Sequence, residues 1–496
     1  MRSGLFAAMS VLVVVVLTAC GGGAAPPAAP ASPAAQAPQP PDPGLPAALA
    51  QQVSGDGAFV HLQQLQGIAD RNGGNRASGS PGHEQSVDYV ADQARRAGFQ
   101  VETPTVPFDF FSAGAQSLAV AGAPVPNVVA LTYSKPTPPG GVTAPLVVLP
   151  EAPADPTPAC DAADFPPTTR GAIVVARRGV CPFAQKQRVA AEAGAAAMVV
   201  VNTEAGPLNG TVGSVAESRI PTAGLSRADG DPLFGRGGVP ATLVLETRAE
   251  SRTTRNVIAQ TTTGRPDEVV MAGAHLDSVP EGPGINDDGS GSAALLETAL
   301  RLGGAPRITN AVRFAWWGAE EEGLVGSTAY VAGLDPERKR DIAMLLNFDM
   351  VASPNAGYLA YDGDDSDRQG APAGPPGSDA IERRMLAALG QVGVQGEGTD
   401  FDGRSDYGPF IEAGIPAGGL FTGAEEVKTP EQAARWGGAA GQAFDPNYHS
   451  PRDDLANLDR VALDRNTRAI ASVVGGYALD LGGPDGVPPR AARQPR

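Results

Sequence analysis

Val269-Val270-Met271-Ala272-Gly273-Ala274-His275-Leu276-Asp277 reads as an apolar strand, Val269 to Ala274, that runs out into a histidine and an aspartate. Two further runs end in the same way. Val312-Arg-Phe-Ala-Trp-Trp-Gly-Ala leads into Glu320-Glu321-Glu322, and Leu345-Leu346-Asn347-Phe348 leads into Asp349. With Pro416 to Phe421 as a fourth strand, apolar strands alternate with helical stretches from Asn256 onward, which is an α/β pattern. Ligands bind such sheets outside the carboxyl ends of the strands. The polar residues that end these strands are therefore expected at one mouth.

Working outward, Gly284-Ile285-Asn286-Asp287-Asp288-Gly289-Ser290-Gly291 lies between the first two strands and enters a helix from Ala293 to Leu302. Tyr448-His449-Ser450-Pro451 stands near the C-terminal end. Each motif alone has an ordinary reading: a hydrogen-bonded loop histidine, a helix N-terminus, a solvated glutamate run. Together they differ, because the chain has only four histidines and two of them fall among these carboxylates. Two histidines and three carboxylates are too few for two separate tetrahedral zinc sites, but they suffice where one carboxylate bridges a metal pair. Three ligand carboxylates, a fourth as base and two divalent ions sum to about zero charge. A hydroxide between the ions is the nucleophile expected of such a centre.

Before this region, Ala58 to Phe108 reads as helices closed by Ala97-Gly98 and an edge strand at Gln100-Val-Glu-Thr103. Short apolar runs separated by Pro and Gly then describe a mostly β domain with one helix, Phe183 to Ala193. The N-terminal helices have no core of their own, so this domain is expected as an insertion. The resulting division is 21–57 an Ala/Pro-rich tether, 58–110 the first part of the α/β domain, 111–255 the insertion and 256–481 the rest. Tyr361 to Asp379 is expected as a surface loop and 482–496 as a polar tail.

Acidic residues outnumber basic ones by 54 to 37, a net charge of −17 with no basic stripe, which argues against nucleic-acid binding. Gly and Pro number 63 and 47 of 496 residues, well above the usual share of about 12%. Arg2 precedes an apolar run that ends in Leu17-Thr-Ala-Cys20, the pattern of a secretory leader with a lipidatable cysteine over 1–20. An ordinary leader or a membrane anchor is the alternative, though the run is short for a span. The expected place is extracytoplasmic, tethered to a membrane by lipid or released. Cys160 and Cys181 then form an even pair in an oxidising compartment, where a disulfide closing that loop contributes about 3 kcal/mol. Two buried free thiols are the other reading.

Ala274-His-Leu-Asp-Ser278, Gly284 to Gly291, Trp317-Gly-Ala-Glu-Glu321 with Gly323-Leu-Val-Gly-Ser327, Asn347-Phe-Asp349 and Tyr448-His449 closely resemble the co-catalytic dizinc aminopeptidases of the Streptomyces type. Gly403-Arg-Ser-Asp406 and Gly419-Leu-Phe-Thr-Gly423 resemble them too. The resemblance implies a zinc-exopeptidase fold (phosphorylase/hydrolase-like), a mixed sheet flanked by helices, acting on peptides. It implies that His275 and Asp349 hold one zinc, Glu321 and His449 the other, and that Asp287 bridges. Glu320 would be the general base, Asp277 the carboxylate orienting His275, and Tyr448 the donor to the developing oxyanion. It also implies a cis peptide at Asp287-Asp288. Relatives of this kind often have cysteines flanking the final histidine, whereas Ser450 and Pro451 follow His449 here, which puts the stiffness of that loop in question. The middle segment, with Pro158-Ala-Cys160, Gly171-Ala-Ile-Val-Val-Ala, Arg178-Gly-Val-Cys-Pro-Phe183 and Ala190-Ala-Glu-Ala-Gly-Ala-Ala, resembles a protease-associated domain, which implies a lid or a substrate-selecting module; a purely structural insertion is an equal reading.

A serine hydrolase is excluded by the lack of Gly-x-Ser-x-Gly, and the zinc helix motif by Val87 where His83-Glu84 would need a histidine. A metal-free receptor on the same fold would have lost ligands, and none is missing. A carboxypeptidase or dipeptidase on the same metal core is the serious alternative, with Arg404 as the residue able to hold a substrate carboxylate. An aminopeptidase taking hydrophobic first residues, with Phe421 lining their pocket, fits the motifs better. Two zinc ions per chain and a monomer are expected, and the surface aspartates leave calcium open.

Overall fold

The computed structural model describes residues 40–496 apart from 152–154, 156 and 369. The leader, Cys20 and most of the tether lie outside the described residues. Eight strands build the main sheet in the order Gln100–Glu102, Val257–Gln260, Asn310–Trp317, Arg265–His275, Ile342–Phe348, Ala417–Phe421, Leu359–Tyr361, Glu397–Thr399. The four that carry the expected site run parallel, and antiparallel pairs join them to the flanking strands. Their carboxyl ends therefore share one edge.

Every residue of Ile342–Phe348 is buried, which is why these strands read as continuous apolar runs rather than alternating ones. Successive side chains still point to opposite faces. Val270, Ala272, Val312, Phe314, Trp316, Met344 and Leu346 pack with the helices Gly55–Arg71, Pro81–Arg96, Gly289–Leu302 and Arg460–Leu479. Val269, Met271, Ala315, Trp317 and Leu345 face Val331, Tyr407 and Phe410 on the other side. The N-terminal helices, which end at Arg96, thus complete a core whose parallel strands begin only at Arg265. Ser54, Ser80 and Asp288 cap three of these helices by accepting the N–H groups of Gly57, His83 and Gly291, each cap contributing about 1 kcal/mol. The Asp288 cap starts its helix at Gly289, four residues before the expected Ala293.

A second eight-stranded sheet holds the inserted segment. Two 16-residue strands, Thr105–Val120 and Pro240–Arg255, pair antiparallel from Thr105↔Arg255 to Val120↔Ala241 and form its stalk. Beyond them Val142–Val148, Ile173–Arg177, Ala197–Val201 and Thr222–Leu225 run parallel, with Phe183–Glu192 as the expected helix. Cys160 and Cys181 are joined by a disulfide.

Three boundaries differ from the sequence reading. The stretch expected as tether to residue 57 already folds at Leu45–Gln52, where Leu49 is buried in the main core and Pro46 and Leu49 sit against Gly475. Tyr361 is not a loop residue: it ends a strand, is buried, and stacks on Phe421 with ring centroids 6.3 Å apart. The C-terminal residues from 482 are docked rather than a tail. Val487 is buried, Arg493 pairs with Glu268 in the interior, Arg490 reaches Asp341 at 2.7 Å, and Arg496 donates its backbone N–H to the Ala413 carbonyl at 2.7 Å. Composition alone could not reveal this, because the partners of these arginines stand 149 and 225 residues earlier. Among the described residues no helix is long and apolar enough to cross a membrane.

Candidate metal centre

The parallel strands deliver His275, the Ala319-Glu320-Glu321 turn and Asp349 to one edge, and the segments around Asp287 and His449 close over them. Gly291 lets the capped helix approach: a Cβ there would come within 1.9 Å of the Phe348 carbonyl, just before Asp349. Ala319, Met350 and His449 adopt left-handed backbone at φ 55°, 52° and 53°, a conformation that costs a non-glycine residue about 1 to 2 kcal/mol. The Asp287-Asp288 peptide is cis.

Asp287 stands between the two histidines. Its Oδ1 is 3.0 Å from His275 Nε2 and its Oδ2 is 3.2 Å from His449 Nε2. His275 Nε2 also lies 3.6 Å from Asp349 Oδ1 and 3.9 Å from Glu320 Oε2, while His449 Nε2 lies 3.0 Å from Glu321 Oε2. Potential ligand atoms of His275, Asp287 and Asp349, and likewise of Asp287, Glu321 and His449, fall within 4.8 Å of one another. Glu320 forms a similar group with His275 and Glu321; Glu322 belongs to none of these groups.

The charge balance of this cluster favours cations. Burial pushes Glu320 well above the ordinary carboxylate range and Glu321 up to about 7, with Asp287 adding to the latter. Burial would also raise Asp287, but the two imidazoles hold it below its ordinary value. The histidines are raised, for the opposite reason. Burial opposes their charge, yet Glu320 and Asp349 push His275 well up, and Asp287 and Glu321 push His449 up to about 10. Buried oxygens of Asp287, Glu321 and Asp349 have no hydrogen-bond partner, a costly arrangement for carboxylates unless a cation meets them. The donor set, two imidazoles and hard carboxylate oxygens, suits zinc.

Around this group, Asp277 comes near His275 in two ways: its carboxylate is 3.7 Å from Nδ1, while its own carbonyl is closer at 3.2 Å. Asp277 Oδ1 accepts the Glu320 N–H at 3.3 Å. Tyr448 stacks on His449 with centroids 3.8 Å apart. A cavity of about 720 Å³ opens over the centre, with Phe421, Tyr361, Arg404 and Tyr448 among its lining. The loop left open for calcium brings oxygens of Asp362, Asp364 and Glu382 within 4.8 Å of one another; Asp362 already accepts the N–H groups of Ser366 and Asp367.

Several contributors escaped the sequence reading. Asp288 Oδ2 accepts the His275 N–H at 3.1 Å and Oδ1 the Met350 N–H at 3.0 Å, so one cap also ties two strand ends together. Ser405 donates to Asp349 Oδ2 at 2.6 Å and accepts from Asn347 Nδ2 at 2.9 Å. The aspartate doublet hinted at the first. Ser405 lies in the Gly403-Arg-Ser-Asp406 motif, but its own role was hidden, because its partners lie more than 50 residues away.

The pattern of peptidase family M28 matches residues 256–474, and that of the PA domain residues 142–233, within the 105–255 span of the second sheet. The probable lipoprotein aminopeptidase LpqL of Mycobacterium tuberculosis is 51% identical over 451 residues, which are 90% of this chain and 89% of that protein. Leucine aminopeptidase 2 of Trichophyton tonsurans is 42% identical over 426 residues, 85% and 84% of the two chains. A zinc aminopeptidase from Bacillus subtilis of known structure shares 25% identity with a TM-score of 0.57, covering 88% of this chain and 98% of its own.

Proposed function

From the premise that the chain belongs to peptidase family M28 and is a zinc metallo-aminopeptidase acting on peptides, we propose a centre of two zinc ions per chain that removes hydrophobic residues from peptide N-termini. In this reading His275 and Asp349 hold one ion, Glu321 and His449 the other, and Asp287 both. One observation carries it: the two oxygens of Asp287 each face a different imidazole, at 3.0 and 3.2 Å, the arrangement a bridging carboxylate needs. Bound zinc supplies Lewis acidity and the acidification of water near neutral pH.

The remaining chemistry belongs to the side chains. Glu320, buried and pushed toward higher pKa, accepts a proton and returns it to the leaving amine, the task for which a raised carboxylate pKa is suited. Tyr448, at the cavity wall beside His449, donates to the oxygen on which charge develops. Asp277 holds the His275 ring through its carbonyl and steadies Glu320 through its carboxylate. Phe421, stacked on Tyr361, offers an apolar wall for the first side chain, while the acidic lining favours a free α-ammonium. The leucine aminopeptidase name of one relative supports that preference.

An inserted domain over 111–255, a peptidase portion resuming at 256 and the monomeric state are part of the same proposal, as is attachment to a membrane through lipid on Cys20, which the name of the lipoprotein relative supports. The direct test is hydrolysis of leucyl-p-nitroanilide with and without a chelator, with zinc counted in the active protein. Activity with fewer than two zinc ions, or activity that survives complete metal removal, overturns the reading.

A further inference from the structure

The loop that joins His275 to Asp287 is gripped by two buried side chains of opposite charge from opposite ends of the chain. Arg76, fully buried, donates from Nε to the Pro283 carbonyl at 2.9 Å and from its terminal nitrogens to the carbonyls of Leu276 and Gly284. Asp453, 2% exposed, accepts the Asn286 N–H on Oδ1 at 2.8 Å and the Asp287 N–H on Oδ2 at 3.0 Å. Its own carbonyl accepts the Ile285 N–H at 3.0 Å, and Asn457 donates to its Oδ1 at 3.0 Å. A side chain with only donors meets carbonyls, and a carboxyl with two acceptor oxygens meets N–H groups, so each contact finds its complement. Asp453 also stands four residues after His449, on a segment that no disulfide can brace, because the three cysteines are at 20, 160 and 181.

We propose that Asp453 is the positioning residue of this centre, tying the segment that bears His449 to the backbone of Asp287 and so fixing the spacing between those two ligands. The proposal rests on the two-zinc reading. Its chemistry is specific to a carboxylate. Both oxygens take consecutive N–H groups, so an asparagine of the same shape must turn its amide NH2 toward one of them whichever way it is oriented. A residue that merely filled space would tolerate that exchange.

The test compares the unsubstituted enzyme with Asp453→Asn and Asn457→Ala, using zinc content, the rate of zinc release to a chelator and the visible spectrum of the cobalt-substituted proteins. Residues that orient metal ligands typically change metal affinity by about 10- to 100-fold when replaced. Asp453→Asn should release zinc faster by that order and shift the cobalt spectrum, while Asn457→Ala, which leaves both accepted N–H groups in place, moves both readouts less. Two zinc ions in the parent with parent-like release and spectrum in Asp453→Asn overturn the positioning role and leave the two-zinc reading standing. Fewer than two in the parent overturn the reading itself. Should Asp453→Asn fail to fold, by circular dichroism, Asp453→Glu, which keeps a carboxylate but displaces both oxygens, decides: a shifted spectrum with faster release supports the role, and parent-like values overturn it.

Discussion

Arg404 Nη2 lies 2.9 Å from Glu425 Oε1, so the one cationic side chain lining the cavity, among the described residues, is already paired. Glu426 stands 3.5 Å away on its other side. A carboxypeptidase needs an unspent cation for the substrate carboxylate. Here the lining carries Glu320, Asp349, Asp402 and Glu426 instead, which suits an ammonium. Leucyl-p-nitroanilide should be cleaved and its N-acetyl form should not, with Arg404→Gln changing the former by less than about tenfold, as a loss of 1.4 kcal/mol or less. Trimming of acetylated peptides from their C-termini would reverse the assignment and make Arg404 the terminus-binding residue.

Glu320→Ala should keep the zinc content of the parent and lower kcat by about 10² to 10⁴, the range for a lost general base. Glu322→Ala should leave kcat within a few-fold, since Glu322 stands outside the ligand groups. Loss of zinc in the first and loss of turnover in the second would show that the glutamate run is read one residue out of register.

The two oxygens of Asp287 face different imidazoles, so under the two-zinc proposal its replacement should be the most damaging single ligand change. Metal analysis of Asp287→Ala should find neither ion retained at parent affinity. An Asp287→Ala protein that keeps two tightly held zinc ions contradicts the bridging role.

Tyr448→Phe keeps the ring that stacks on His449 and removes only the hydroxyl. A drop in kcat of about 10² to 10³ with little change in KM is expected for a donor used mainly in the transition state. A rise in KM alone would place the hydroxyl in substrate binding.

Breaking a buried ion pair from one side costs about 3 to 5 kcal/mol. Arg493→Met leaves Glu268, whose side chain is 8% exposed, with only the Arg490 N–H at 3.4 Å and Arg265 at 3.9 Å, and should lower the thermal midpoint clearly, whereas the double replacement with Glu268→Leu should recover much of the loss. If the single variant melts like the parent, the C-terminal segment is not the strap it resembles.

What could be read without coordinates was chemistry tied to local pattern. Continuous apolar runs announced strands buried on both faces, and the polar residue ending each run announced the edge where a site forms, because strand direction and side-chain alternation follow from the backbone alone. The candidate ligands His275, Asp287, Glu321, Asp349 and His449 were legible in another way, through five motifs that resemble those of a known family. Even the cap at Asp288 was half visible, as a helix start, though not its second role in holding the His275 and Met350 backbones.

The sequence by itself determined the α/β order of the peptidase portion, the insertion within it and the residue types of the metal centre. Only the tertiary structure decided how that centre is braced: Ser405 on Asp349, Arg76 and Asp453 on the loop between two candidate ligands, and the C-terminal arginines docked on Glu268 and Asp341. A polar residue paired across 166 or 225 positions looks, in one dimension, the same as one facing water. Its role arises from a partner's position and the desolvation both undergo, and neither exists until the chain is folded.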